Sequence, residues 1–412
     1  MNLAALSVAA LAFAVIVSCV SRLNVGVLSV ALAWIIGVYF GGLPVNTVMG
    51  GFPSQLFLTL AGVTLLFAMA QANGTLPRLT DHAVRICRGN AGTIPVMFFV
   101  LGAAISSMGP GNIATAALLT PIAMATAMRA GIPLFLMAIM VGNGANSGAL
   151  SPFAPTGLIV NTLMAKHQMP GLEAQAYLYN LGAHALMAFG GYFLFGGLRL
   201  FTAPRTGVGA ADDHRATAFD YRQWLTLGVI AALIVSVLAF KVNVGMAAFA
   251  GAVVLVLAGA ADDAEAIKQM PWKVIVMVCG VTVLIALVER FQGLDLIVSF
   301  VAKISTASTV TGVIAFITGL VSVYSSTSGV VLPAFLPLVP GLAVALPGSN
   351  PVGIAMSMNI AGHLVDVSPL STIGALCIAS AAGADSRKLF IQLLAWGLSM
   401  AVLGALLCYL LF

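Results

Sequence analysis

The chain has 412 residues, of which 61% are hydrophobic and only 7% charged, with a mean hydropathy of +1.09. That composition excludes a soluble globular domain. The net charge of +5 does not point to nucleic acid, because the basic residues sit in short loops between apolar stretches, the pattern of a membrane protein.

Apolar stretches of about 20 residues recur along the chain, the length that spans a bilayer as a helix. A membrane β-barrel would show alternating segments of roughly ten residues instead. The expected fold class is an all-α polytopic membrane protein. In chain order the expected helices cover 3–21, 24–42 and 54–73, then a pair at 94–107 and 111–128, then 132–165 and 176–200. The second half is expected to hold 223–241, 243–260 and 272–290, a pair at 309–323 and 329–346, then 351–382 and 388–411. The first segment has no basic n-region and no good small-residue cleavage site, so it reads as a retained helix. Stretches 132–165 and 351–382 are too long for one straight span, and Gly, Asn, Ser and Pro interrupt the middle of each. Cys19, Cys87, Cys279, Cys377 and Cys408 show no CxxC spacing, so neither a disulfide nor a transition-metal site is expected.

Residues 61–76 (AGVTLLFAMAQANGTL) are echoed 218 residues later at 279–294 (CGVTVLIALVERFQGL). Downstream, GALSPFAPTG (148–157) faces VDVSPLSTIG (365–374), with Ser151-Pro152 and Gly157 opposite Ser368-Pro369 and Gly374. Internal duplication in so apolar a chain is a signature of secondary transporters, whose substrate sites lie between the repeats. The two helix pairs carry polar, glycine-bearing turns, SSMGPGN (106–112) and SSTSG (325–329), in the middle of apolar stretches, and read as re-entrant hairpins. The ten other segments then cross fully. With the N-terminus outside, 13 of the 17 Lys and Arg residues fall on the cytoplasmic side, and only Lys166, Lys241, Arg290 and Lys303 fall outside. This agrees with the positive-inside rule. Five crossings and one hairpin per half make the repeats inverted. Residues 1–200 form the first repeat, 201–222 a cytoplasmic linker and 223–412 the second repeat.

Four places put non-helical backbone at membrane depth: the turns at 106–112 and 325–329, and the breaks at 142–156 and 359–372. Such backbone persists only against protein or a wet cavity. Broken helices offer free amides to anions and free carbonyls to cations. The first turn and break supply Ser106, Ser107, Gly109, Asn112, Asn143, Asn146, Ser147, Ser151 and Thr156. The second supply Ser325, Ser326, Thr327, Ser328, Asn359, His363, Asp366, Ser368, Ser371 and Thr372. Small hydroxyl side chains recognise a carboxylate without a fixed charge, although Ser, Thr and Gly also let helices pack closely. Asp366 is the one acid deep in an apolar segment, a functional candidate by default. It binds a cation or carries a proton in one reading. In the other it braces the break through His363, which otherwise donates to a substrate carboxylate. His184 reads as a packing residue, and Glu289-Arg290 as an interfacial pair. The coupling-ion candidates are Ser107, Asn143, Asn146, Ser326, Asn359 and Asp366; the substrate candidates are Ser106, Ser107, Gly109, Asn112, Asn146, Ser147, Ser151, Thr156, Ser325, Ser326, Thr327, Ser328, His363, Ser368 and Thr372. No Walker A, HExxH or properly placed GxSxG motif occurs, so neither an ATP-driven pump nor an enzyme is expected. An intramembrane hydrolase using Ser151 or His363 would leave the duplicated serine motif unexplained.

This arrangement resembles the ion transporter superfamily, which holds divalent anion/sodium symporters, citrate carriers and the large membrane subunits of TRAP transporters. GGFPSQLFLTLAGVTLLFAMAQANGTL (50–76) and SSMGPGNIATAALLTPIAMA (106–125) look most like MatC-type dicarboxylate (malonate) carriers. In the sodium-coupled relatives a Ser-Asn-Thr motif marks each hairpin tip. The matching positions are Ser107-Met108-Gly109 and Ser326-Thr327-Ser328, and both lack the Asn. The resemblance implies uptake of malonate-, succinate- or malate-like anions coupled to Na+ or H+ by an elevator mechanism, with no further cofactor. It implies a homodimer in a bacterial inner membrane, with N- and C-termini periplasmic. Segments 3–42 and 223–260 would form the scaffold, and 54–200 and 272–412 the transport parts. A TRAP-type membrane subunit, dependent on an extracytoplasmic binding protein, is the related alternative.

Overall fold

The computed structural model describes residues 2–20, 23–79, 90–201, 219–381 and 386–412. Most of the linker expected at 201–222 lies outside the described residues, as do Arg22, Arg85, Arg88 and Cys87. Among the described residues the chain is helical, with no strand.

The first half builds α1 (Leu3–Val20), α2 (Val25–Trp34, continued by a π-helical turn Ile35–Phe40), α3 (Val45–Met49) and α4 (Ser54–Ala72). Next come α5 (Thr93–Met108) and α6 (Gly111–Ala130), then α7 (Leu134–Ser147), α8 (Pro155–Lys166) and α9 (Glu173–Leu194). The second half opens with α10 (Tyr221–Phe240), α11 (Val244–Leu257), α12 (Asp263–Gln269), α13 (Trp272–Arg290) and α14 (Gly293–Ile304). It continues with α15 (Val310–Tyr324), a π-helical turn Thr327–Val331, α16 (Leu332–Phe335) and α17 (Val339–Ala345). It ends with α18 (Pro351–Leu364), α19 (Thr372–Ser380) and α20 (Ser386–Leu411).

Local chemistry sets these boundaries. Asn24 and Asn243 each precede a Val-Gly pair and cap the helix that follows, accepting from Gly26 N (2.9 Å) and Met246 N (3.1 Å). The two long stretches break where expected. α7 stops at Ser147 and α8 starts on Pro155, which needs no intrahelical donor at that position. α18 and α19 are separated in the same way over 365–371. The single helix expected at 329–346 is instead four short pieces. Pro333, Pro337 and Pro340 each withhold an N–H, so no long α-ladder can form there. The helix expected at 176–200 ends at Leu194, and Gly197–Phe201 makes a separate 3₁₀ turn. The short helices α3, α12 and α14 were not expected.

The two halves pack crosswise: α4 lies on α11, and α13 lies on α2. Both seams are glycine-lined. A Cβ on Gly62 would stand 2.3 Å from the Gly245 carbonyl oxygen, and one on Gly280 would stand 2.2 Å from that of Gly26. Only bare backbone fits these crossings. One apolar core gathers α4, α8, α11 and the 332–342 segment, and a second gathers α5, α6, α7, α9, α15, α18 and α20. A third joins α1, α2 and α13. α7 and α18, the helices ahead of the breaks, are enclosed on all sides over Phe135–Ser147 and Gly353–Leu364. Large apolar side chains such as Phe13, Trp34, Phe240, Leu257 and Leu410 face outward. Among the described residues, five helical stretches are long and apolar enough to cross a membrane, and shorter apolar helices accompany them. This is a multi-pass helical membrane protein.

Candidate substrate site

The breaks fold the same way. After each Ser-Pro the chain turns back, and the first turn of the next helix lies on the serine carbonyl. A Cβ on Gly157 would sit 2.0 Å from the Ser151 oxygen, and one on Gly374 would sit 2.0 Å from the Ser368 oxygen. Glycine is required at both positions, which explains the echo between 148–157 and 365–374.

Around the first break most of the polar side chains bond within the protein itself. Ser151 Oγ donates to the Ser107 carbonyl at 2.6 Å, tying the break to the hairpin turn. Ser107 Oγ lies 2.6 Å from the Ala103 carbonyl and 2.9 Å from the Tyr177 hydroxyl. Asn112 Nδ2 donates to Asn146 Oδ1 at 2.9 Å, and Asn180 Nδ2 to the Asn146 carbonyl at 2.8 Å. Ser147 donates to the Gly144 carbonyl and Asn143 Nδ2 to that of Ile139, both at 2.7 Å. His184 Nδ1 lies 2.9 Å from Asn143 Oδ1, so it joins this network rather than packing inertly. Gly109 is pressed against the Phe67 ring. The adjoining cavity, about 490 Å³, is mostly apolar, lined by Phe67, Ile105, Leu118 and Ile159; Asn112, Thr115, Thr156 and Gln71 are among its polar groups.

The second break is different. Thr327 Oγ1 donates to Asp366 Oδ1 at 2.7 Å, and Ser322 is hydrogen-bonded to the same hydroxyl. Ser371 Oγ donates to the Asp366 and Ser368 carbonyls, closing the turn after the acid. Ser326 Oγ accepts from Gly329 N at 3.1 Å and so caps the π-helical turn. A cavity of about 410 Å³ opens here, lined by Ser325, Ser326, Thr327, Ser328, Asp366 and Thr372. It shares Asn112 and Ser328 with the first cavity, so the two form one cleft between the hairpin turns.

His363 does not pair with Asp366. Its Nδ1 goes to the Asn359 carbonyl at 2.7 Å, because the side chain follows its own helix one turn back. Ser106, Ser107, Asn143, Asn146, Ser147, Asn359, His363 and Ser368 line neither cavity; several brace its walls. Ser106 Oγ, Asn359 Oδ1, His184 Nε2 and His363 Nε2 are buried without a protein partner. Glu289 pairs with Lys166 at 3.0 Å rather than with its neighbour Arg290. Sequence reasoning missed Tyr177 and Asn180, which brace the first turn and break. It also missed Lys273, which lines the polar cavity. Cys279, Cys377 and Cys408 are free and buried.

Two turns and two broken helices of this helical membrane protein thus converge on one cleft, more polar at the second break than at the first. Residues 1–149 match the family model described as the N-terminus of the dicarboxylate carrier protein MatC, a span covering the first hairpin and ending inside the first break. The match covers 149 of the 412 residues and makes this part of the chain similar to a dicarboxylate carrier. No curated protein matches the chain.

Proposed function

We propose that the protein is a secondary active transporter that takes up small dicarboxylate anions of the malonate, succinate or malate type, coupled to Na+ or H+. The observation that carries this reading is the second cavity. Its Ser325–Ser328 wall offers hydroxyls and backbone amides to a carboxylate, and beside it Asp366 supplies a buried acid for a coupling cation. Its volume, about 410 Å³, is in the ordinary range for small-molecule sites.

The crosswise packing supports inverted repeats and an elevator movement. Each of α4 and α13 adheres to a helix of the other half through a glycine seam. On this reading α4 and α13 stay with the scaffold, while the hairpins, α7–α9 and α18–α20 move. That narrows the transport parts from 54–200 and 272–412. The scaffold carries the dimer contact, the membrane is a bacterial inner membrane, and both termini face the periplasm.

The test is uptake of radiolabelled malonate, succinate and malate into proteoliposomes, with sodium and proton gradients imposed separately. Accumulation driven by one gradient is expected. Uptake that appears only after an extracytoplasmic binding protein is added would replace this reading with a TRAP-type subunit.

A further inference from the structure

Lys273 is the second residue of α13 and, among the described residues, the one cationic side chain lining either cavity. Its backbone is fixed. Asn24 Nδ2 donates to the Lys273 carbonyl at 3.0 Å, and one turn further on, Met277 packs so tightly on Gly26 that no Cβ fits between them. The root of the side chain therefore belongs to the α2–α13 wall of the cavity that the hairpin serines also line. Among the described residues no carboxylate lies within ion-pair distance of its ammonium group. The acid in the same cavity, Asp366, accepts from Thr327 instead.

The charges in the cavity make this cation consequential. A small dicarboxylate is a dianion at neutral pH, since both groups ionise near the usual carboxylate range. Hydroxyls and amides at the second hairpin turn suit one carboxylate, but Asp366 repels the other. A flexible, strongly hydrated ammonium with three donors, held at one wall, offsets that repulsion and gives the second carboxylate a partner. Lys273 lines the same cavity as Ser325, Ser326 and Ser328.

We infer that Lys273 receives the second carboxylate of the substrate and sets the preference of the site for dianions over monocarboxylates. This rests on the dicarboxylate-carrier reading above. The experiment compares wild type, Lys273→Gln and Lys273→Arg in proteoliposomes, measuring KM and maximal rate for succinate, and inhibition by butyrate. Lys273→Gln is expected to raise KM for succinate at least tenfold with maximal rate within about twofold. Butyrate should compete better, relative to succinate, than it does in wild type, and Lys273→Arg should recover most of the affinity. Lys273 is exposed, so the Gln variant should fold, which its elution profile in detergent verifies. An unchanged KM, or a loss confined to maximal rate, overturns the assignment while leaving the carrier reading intact. A wild type that moves no dicarboxylate overturns both.

Discussion

The first and second breaks share a sequence pattern and a turn geometry, yet they use their polar groups in opposite ways. At the first, Asn112, Asn146, Asn180, Ser107 and Ser151 satisfy one another and the backbone, and the adjoining cavity is largely apolar. At the second, Ser325–Ser328 face a polar cavity and Thr327 holds a carboxylate beside it. One copy of the motif is tied into a brace, whereas the other lines the cavity proposed to take the ligand. Buried amides and hydroxyls that pair internally specify a rigid shape. Ser326 and Thr327 also bond within the protein, but they do so at the wall of a cavity. The hypothesis of unequal roles therefore makes unequal predictions for the two copies.

The largest effect is expected at Asp366. Asp366→Asn keeps the shape of the side chain but removes its charge, and the amide oxygen can still accept from Thr327. Uptake should fall at least tenfold and lose its dependence on the driving cation, read as uptake with and without an imposed gradient. Coupling that persists unchanged would return Asp366 to a bracing role, equal to that of Asn146 in the other half.

A smaller, sharper contrast sets Ser326 against Ser107. Ser326 both lines the cavity and caps the π-helical turn, whereas Ser107 points back to the Ala103 carbonyl and Tyr177. Ser326→Ala should lower uptake about tenfold, with loss of the cap also costing about 1 kcal/mol. Ser107→Ala should cost about 1 kcal/mol of stability and leave the KM within about threefold. The double variant should stay within about threefold of Ser326→Ala while still folding. Equal KM effects from the two single substitutions would erase the distinction between brace and ligand site.

Much of this arrangement was legible in the sequence, because breaks and turns announce themselves. Gly, Asn, Ser and Pro inside a long apolar run at 142–156 and 359–372 mark where α-ladders must stop, and they do. The matched Thr64 and Thr282 at the start of the echo bond their own helices at Leu60 and Val278, as supporting structure should. What escaped reading lacked a span-length signal or depended on packing. A search for 20-residue stretches is blind to α3, α12 and α14, although Val298 and Val301 give α14 a buried face. The paired Asn-Val-Gly at 24–26 and 243–245 is short, and its meaning appears only when α2 and α11 are seen to begin there. Lys273 counted only as a loop charge until the fold set it beside the serines. Glu289 and Arg290 are sequence neighbours, but adjacent residues on a helix point apart. The partner of Glu289 is 123 residues away in the chain.

That last pair sharpens the comparison at the smallest scale, between the two ends of α13. Lys273 lies in its first turn at the cavity, and Glu289 sits 16 residues on, which is about 24 Å at 1.5 Å per residue. There it bridges to Lys166 at the end of α8, both side chains about half exposed at 45% and 49%. If α8 moves and α13 stays, this contact parts whenever that end opens. Solvent screening limits such a pair to about 0–1 kcal/mol, so Glu289→Gln should change uptake rate less than about fivefold and barely move the thermal midpoint at pH 7. His167 adds a pH signature. Burial, and then the charge of Lys166, lower its pKa from the ordinary histidine value, and Glu289 works against them. The folded protein thus favours neutral His167. Its contribution is complete above about pH 6.5 and is lost as pH falls below that, where the unfolded chain takes up a proton that the folded one refuses. Removing Glu289 lowers the folded value further, so Glu289→Gln should lose more thermal stability than wild type between pH 7 and pH 5. His167→Gln should flatten that dependence, whereas identical acid profiles in all three proteins would mean that this end of α13 carries no electrostatic coupling.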